Sequence, residues 1–345
     1  MLKENAKQFV RQYVSPLLDL AGIHEQKLAR LFDAENRLLI LMYHRVIEDR
    51  AADPFAMGLC VRKSYFEQQI AWLAQSAHVL PLNEAVERLL NGEPLPRRAV
   101  AITFDDGYLD NLTIAAPILE RYRMPATFYV VTGGIDEGRM LWWDQVIAML
   151  ARATQRTVFP HALGLHELPV MLPLHTGTRR DTLLALVNAI WDRDQDSIEE
   201  ILVRLRVMLL PKDDPALAAP RMSVDQVRQL ASRSGFTIGA HTHTHIDPRL
   251  LSREQLQHEL RISRARLQEI TQQPVDSFAY PGGRSSVWMP DILAAEGFRH
   301  AVDTRRGINE APASRYALCR VGMSDAPVGD FKRAIRNLAI LGSTP

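Results

Sequence analysis

Short, uninterrupted apolar runs separated by helical stretches restrict most tightly what this chain can fold into. Leu38 to Met42, Val79-Leu80, Val100 to Thr103, Ala126 to Val131, Phe236 to Ala240, Ser277 to Tyr280 and His300 to Val302 each read as a strand with no polar face. Strands covered on both sides belong to parallel sheets with helices packed over them. The connections agree. A helix through Glu84 to Leu90 stops at Asn91-Gly92 and two prolines, and another carries Ile114, Ile118 and Leu119. In such α/β folds the chemistry gathers at the C-terminal ends of the strands. His44, Asp105, Asp106 and His241 all fall at such ends.

The rhythm breaks between Gly133-Gly134 and Met222. Leu141-Trp142-Trp143-Asp144, an irregular stretch with His161, His166 and His175, and a helical run from Thr182 to Leu210 occupy this interval. It reads as a mostly helical insertion at about 135–222, because the strand pattern resumes after it. The expected organisation is therefore an N-terminal amphipathic helix over residues 1–35 followed by one domain over 36–345. The helix carries Phe9, Val10, Tyr13, Val14, Leu17 and Leu18 on one face. That face would pack on the domain or touch a membrane surface peripherally, and its mixed charges favour packing.

A formal net charge of +1 over 345 residues provides no field for nucleic acid or another polyanion. Cys60 and Cys319 have no metal-type spacing, and neither a secretory leader nor an apolar run of membrane-spanning length is legible. A cytoplasmic setting is the expectation these features support.

Two clusters carry the chemistry. In Thr103-Phe104-Asp105-Asp106-Gly107 the adjacent carboxylates repel unless a cation or proton intervenes. Neighbouring side chains point to opposite sides of an extended chain, so one can bind a metal while the other faces substrate. The plainer alternative is a helix cap in an Asp-Gly turn. In His241-Thr242-His243-Thr244-His245, a helical or tightly turned backbone would converge His241 and His245 on one face. On an extended strand, His243 would instead pair with one of its neighbours. With Asp106 the histidines make an Asp-His-His set that leaves positions open for water and substrate. Zinc suits such ligands best, with cobalt, nickel, manganese and iron as alternatives for the single divalent ion.

These residues resemble the polysaccharide deacetylases, carbohydrate esterase family 4. Thr103-Phe104-Asp105-Asp106-Gly107 and His241-Thr242-x-x-His245 are similar to the first two motifs of that family, and Ser277 to Gly283 is similar to the third. The resemblance runs from about Leu38 to Asp303. It implies a deformed (β/α) barrel, Asp105 as general base, and Asp106, His241 and His245 as metal ligands. It further implies oxyanion or substrate contact around Tyr280 and Gly282. Two departures follow. Many members brace the catalytic Asp with an arginine in the third motif, where this chain has Ala279; Arg284 is the candidate replacement. The late Leu-x-x-His-Asp segment that supplies the acid is missing, while Leu41-Met42-Tyr43-His44 stands early, as in circularly permuted members. Barrel closure sets first and last strands side by side, which assigns the acid role to His44.

The implied reaction is metal-dependent removal of an N-acetyl group from an amino sugar, on an oligosaccharide or a nucleotide- or lipid-linked glycan intermediate. Trp143 and Asp144 are further candidates for substrate contact. Deformylation of a formamido sugar, or a silent sugar- or metal-binding module of the same fold, are the competing readings.

Overall fold

The computed structural model describes residues 35–49, 59–212 and 220–336. The expected helix over 1–35 lies outside the described residues apart from Glu35. Six strands carry the architecture: β1 (Arg37–Tyr43), β2 (Ala99–Phe104), β3 (Ala126–Val130), β4 (Phe236–Ala240), β5 (Ser277–Ala279) and β6 (His300–Val302). They lie side by side in chain order, every neighbouring pair parallel. Spatial order that follows chain order curls a twisted sheet toward a barrel, whereas a doubly wound sheet reverses direction at its centre.

The seam between β6 and β1 is filled from the C-terminal side. Leu318 bridges Val302, and Val321–Gly322 pairs parallel with Leu41 and Met42. Leu318 N–H donates to the Ala301 carbonyl at 3.1 Å, and Met323 N–H to the Met42 carbonyl at 2.9 Å. The result is a deformed (β/α) barrel.

Strand alternation sorts the side chains into two cores. Leu38, Ile40, Ala99, Ala101, Tyr129, Ala279, Val302 and Leu318 share the inner cluster with Leu82, Val86 and Leu89 of α2 (Leu82–Leu90), which follows α1 (Lys63–Ser76). Leu39, Leu41, Val100, Ile102, Phe104, Phe128 and Ile238 face the outer helices. The same alternation continues inward past Ala101 to Thr103 and Asp105. Gly239 in β4 leaves room inside the barrel: a Cβ there would lie 2.5 Å from the Tyr129 ring.

The region after β3 has its own apolar core, built by α3 (Trp142–Arg152), α4 (Arg179–Trp191) and α5 (Gln195–Leu209). The single run expected from Thr182 to Leu210 is two helices. The chain breaks at Asp192 to Asp194, and the extended Asp194 caps α5 by accepting from Ser197 N–H at 2.8 Å. A further helix, α6 (Arg253–Thr271), flanks β4.

Candidate metal and catalytic centre

Both clusters meet at the C-terminal mouth of the barrel. Asp105 leaves β2 on the inner face, and the chain then turns sharply, with Asp106 at φ +77° and Gly107 at φ +77°. A non-glycine residue in this left-handed region is strained, and such strain gathers at functional sites. The β4 end does the same. Thr242 (φ +63°) and His245 (φ +58°) fold the segment back, and Thr242 Oγ1 accepts His245 N–H at 3.0 Å. Glu259 of α6 braces the loop by accepting the N–H groups of His243 and Thr244 at 2.8 and 2.9 Å.

This tight turn, not a helix, brings His241 and His245 together. Their Nε2 atoms lie 3.5 and 3.4 Å from one Asp106 carboxylate oxygen, with all three side chains nearly fully buried. Ligand atoms about 2.0–2.1 Å from a shared ion at tetrahedral angles are spaced roughly 3.3–3.4 Å apart. The three residues therefore fit one divalent cation, and among the described residues they form a group able to hold one. His241 Nδ1–H donates to the Ala279 carbonyl at 2.7 Å, which fixes the ring with Nε2 toward the triad. His243 is excluded from the set: its ring lies 2.9 Å from Thr132 Oγ1 and lines a separate cavity of about 570 Å³ between the barrel and α5.

Asp105 is gripped by Arg320. The guanidinium donates through both Nη atoms to the two carboxylate oxygens, each at 2.7 Å, and through Nε to the Asp303 carbonyl at 2.8 Å. Arg320 is 0 % exposed and reaches in from the seam strand, over the Tyr129 ring. The Arg284 expectation is thereby corrected. Arg284 stands outside the barrel mouth and pairs with Asp192 (2.7 Å) and Asp247 (2.6 Å), so the brace on Asp105 comes from a strand that no third-motif reading includes. Sequence reasoning missed Arg320. Its only signal was an isolated arginine two residues after the apolar Leu318, in a segment that barrel closure would bring to the site.

Burial alone would push the Asp105 carboxyl up, but the Arg320 charge, with help from His241, outweighs it and holds the group below its ordinary value. Burial works against Asp106 in the same way, and the His241 and His245 imidazoles bring it well below the usual carboxylate range. His44 follows Tyr43, whose carbonyl accepts the Asp105 N–H at 3.0 Å, so its backbone lies beside the pair. It is partly buried, and its carbonyl accepts from the Asn111 side chain at 2.7 Å.

The remaining candidates divide. Trp143 packs its ring 4.4 Å from the His245 ring, tilted at 57°, and donates its indole N–H to Tyr108 Oη at 2.9 Å; it is 3 % exposed, so it buttresses the candidate ligand His245. Asp144 accepts from Tyr108 Oη at 3.4 Å, while its second oxygen has no partner. Burial, aided by the Asp106 charge, pushes its carboxyl up to about 7. The Tyr280 ring turns into the core, edge-on to Phe278, leaving only its backbone near the third-motif turn. Gly282 lies in that turn at φ +59°.

At the barrel mouth an Asp-His-His group able to hold a cation stands beside an arginine-clamped aspartate, an arrangement suited to hydrolysis. The chain is similar to the polysaccharide deacetylase family: the model of that family, "Polysaccharide deacetylase", matches residues 92–166 and 217–301. The interval it skips holds α4 and α5, and both His44 and Arg320 lie beyond its ends. Among curated proteins, the chain is 36% identical over 102 residues to the poly-beta-1,6-N-acetyl-D-glucosamine N-deacetylase of Escherichia coli K12, covering 29% of this chain and 15% of that one. It is 33% identical over 128 residues to the Staphylococcus aureus N315 protein of the same description, covering 34% and 44%. The chain thus spans less than half the length of these curated relatives. Among solved structures, Streptococcus pyogenes deacetylase PplD in complex with acetate superimposes with a TM-score of 0.59 at 19% identity, covering 87% of this chain and 98% of that one. At that identity the likeness is one of fold.

Proposed function

We propose that the chain hydrolyses an N-acetyl group from an amino sugar of a glycan, using one divalent cation held by Asp106, His241 and His245. The observation that carries this reading is the bidentate grip of Arg320 on Asp105, directly beside donor atoms spaced for a single ion. When bound, the cation supplies a Lewis acid and lowers the pKa of water. Asp105, kept ionised by Arg320, accepts the proton of the attacking water. His44, which follows the end of β1 beside Asp105, gives a proton to the departing amine nitrogen. The N–H groups of Gly283 and Arg284 are taken by the Tyr280 and Pro281 carbonyls, so the Gly282 N–H is the backbone donor we assign to the developing oxyanion.

The relatives' printed substrate, a polymer of N-acetylglucosamine, makes an N-acetylated glucosamine glycan the first substrate to try. Zinc is the ion we favour, and the cytoplasm the setting. Acyl release from N-acetylated and N-formylated glucosamine oligosaccharides, nucleotide-linked and lipid-linked N-acetyl sugars, measured on protein restored with zinc, tests the proposal. Acetate should appear in preference to formate. No acyl release across that panel would sink it.

A further inference from the structure

The insertion does more than decorate the barrel, because its Trp191 sits on the catalytic centre. This indole, at the last residue of α4, lies edge-on to the metal ligand His245, with centroids 5.5 Å apart at 82°. It presses against the third-motif turn so closely that a Cβ on Gly282 would stand 3.0 Å from Trp191 Cζ2. Trp143 stacks alongside it at 25°. The next residue fastens it down: Asp192 accepts from Arg284 Nη1 at 2.7 Å, and the same nitrogen reaches the buried Asp247 of the barrel at 2.6 Å. The Arg284 guanidinium also lies over the Trp191 ring, 5.3 Å from its centroid.

Under this cover Asp105, Asp106, His241 and His245 are all 1–3 % exposed. Buried polar atoms without partners collect around them: His245 Nδ1, Asp144 Oδ2 and Trp191 Nε1. Native interiors rarely leave such atoms unpaired. Such atoms give the site polar groups to offer a substrate.

We propose that Trp191 is a positioning and specificity residue for the reacting sugar, carried on a gate that the Asp192–Arg284–Asp247 clasp holds shut. Substrate enters when the clasp parts, and closure brings the indole against the sugar being processed. The inference rests on the deacetylase reading for its substrate, but the gate is measurable without turnover. Hydrogen exchange of segments 188–193, 241–245 and 281–284 is followed in the full chain, zinc-loaded, for the parent, Trp191→Ala, Trp191→Phe and Asp192→Asn. Exchange in the last two segments should quicken at least 10-fold in Trp191→Ala, less in Asp192→Asn, and little in Trp191→Phe, which keeps the ring. On N-acetylated glucosamine oligomers, Trp191→Ala should raise KM about 10-fold, with Trp191→Phe restoring most of the loss. Unchanged exchange in both Trp191→Ala and Asp192→Asn overturns the gate, whatever the activity. The expected exchange change with no acyl release from the parent upholds the gate and overturns the deacetylase reading alone.

Discussion

Replacing Arg320 with methionine removes the principal cation that balances Asp105, and the consequence can be worked from the contacts. The guanidinium is fully buried and makes two charge-assisted bonds to Asp105, one to the Asp303 carbonyl and one to Thr103 Oγ1. Deleting one partner of a buried pair costs about 3–5 kcal/mol, because the other charge is left uncompensated. The sign with pH follows. In the parent, the Asp105 carboxyl is lowered, so its contribution to stability is present above the ordinary Asp value and lost as pH falls through the folded one. In Arg320→Met the largest lowering cause is gone while burial, which raises the carboxyl, remains. The deficit should then be smallest below about pH 4 and grow as pH rises past it. Turnover at neutral pH should fall about 100-fold or more, the range for loss of a general base. Denaturant unfolding across pH, with acetate release and metal content on the same samples, checks this. Adding Asp105→Asn should restore most of the stability and none of the activity. A single Arg320→Met that is as stable as the parent at pH 8, or as active, refutes the clamp.

Three further outcomes follow from the site. His241→Ala and His245→Ala should each lose the bound cation by metal analysis, whereas His243→Ala should keep it; loss in His243→Ala alone would redraw the triad. His44→Ala should keep its metal while turnover drops about 100-fold, and full activity would remove His44 from the acid role. Asp144 has a raised carboxyl near 7, so its cost to the fold is absent below the unfolded value of about 4, grows between there and about 7, and then levels off. Asp144→Asn should therefore stabilise the metal-free protein at pH 8, by at most about 4 kcal/mol, and not at pH 4; equal melting shifts at both pH values would contradict the burial argument.

What was legible beforehand was local. Apolar runs marked the strands because a parallel sheet covered on both faces requires them, and Asp105, Asp106, His241 and His245 stood out because their chemistry is packed into short segments. The reach from His241 to His245 was expected from spacing, but choosing between them and His243 needed the left-handed turns at Thr242 and His245, which no periodicity announces. Arg320 was illegible for a different reason: it acts across more than two hundred residues, and only closure of the barrel seam sets it against Asp105. Arg284 looked the better brace because it is near the third motif in sequence, yet its side chain pairs with Asp192 and Asp247 instead. Trp191 was hidden inside an ordinary amphipathic run, where an indole packed on its own helix and one packed on a catalytic centre look alike.

The central claim is that Asp105 works as a base beside a cation held by Asp106, His241 and His245. The most direct measurement is acetate release by zinc-restored parent and Asp105→Asn, each with its metal content determined. The account predicts one bound ion in both proteins and acetate from the parent only. Acetate released equally by Asp105→Asn, with the ion in place, would contradict it.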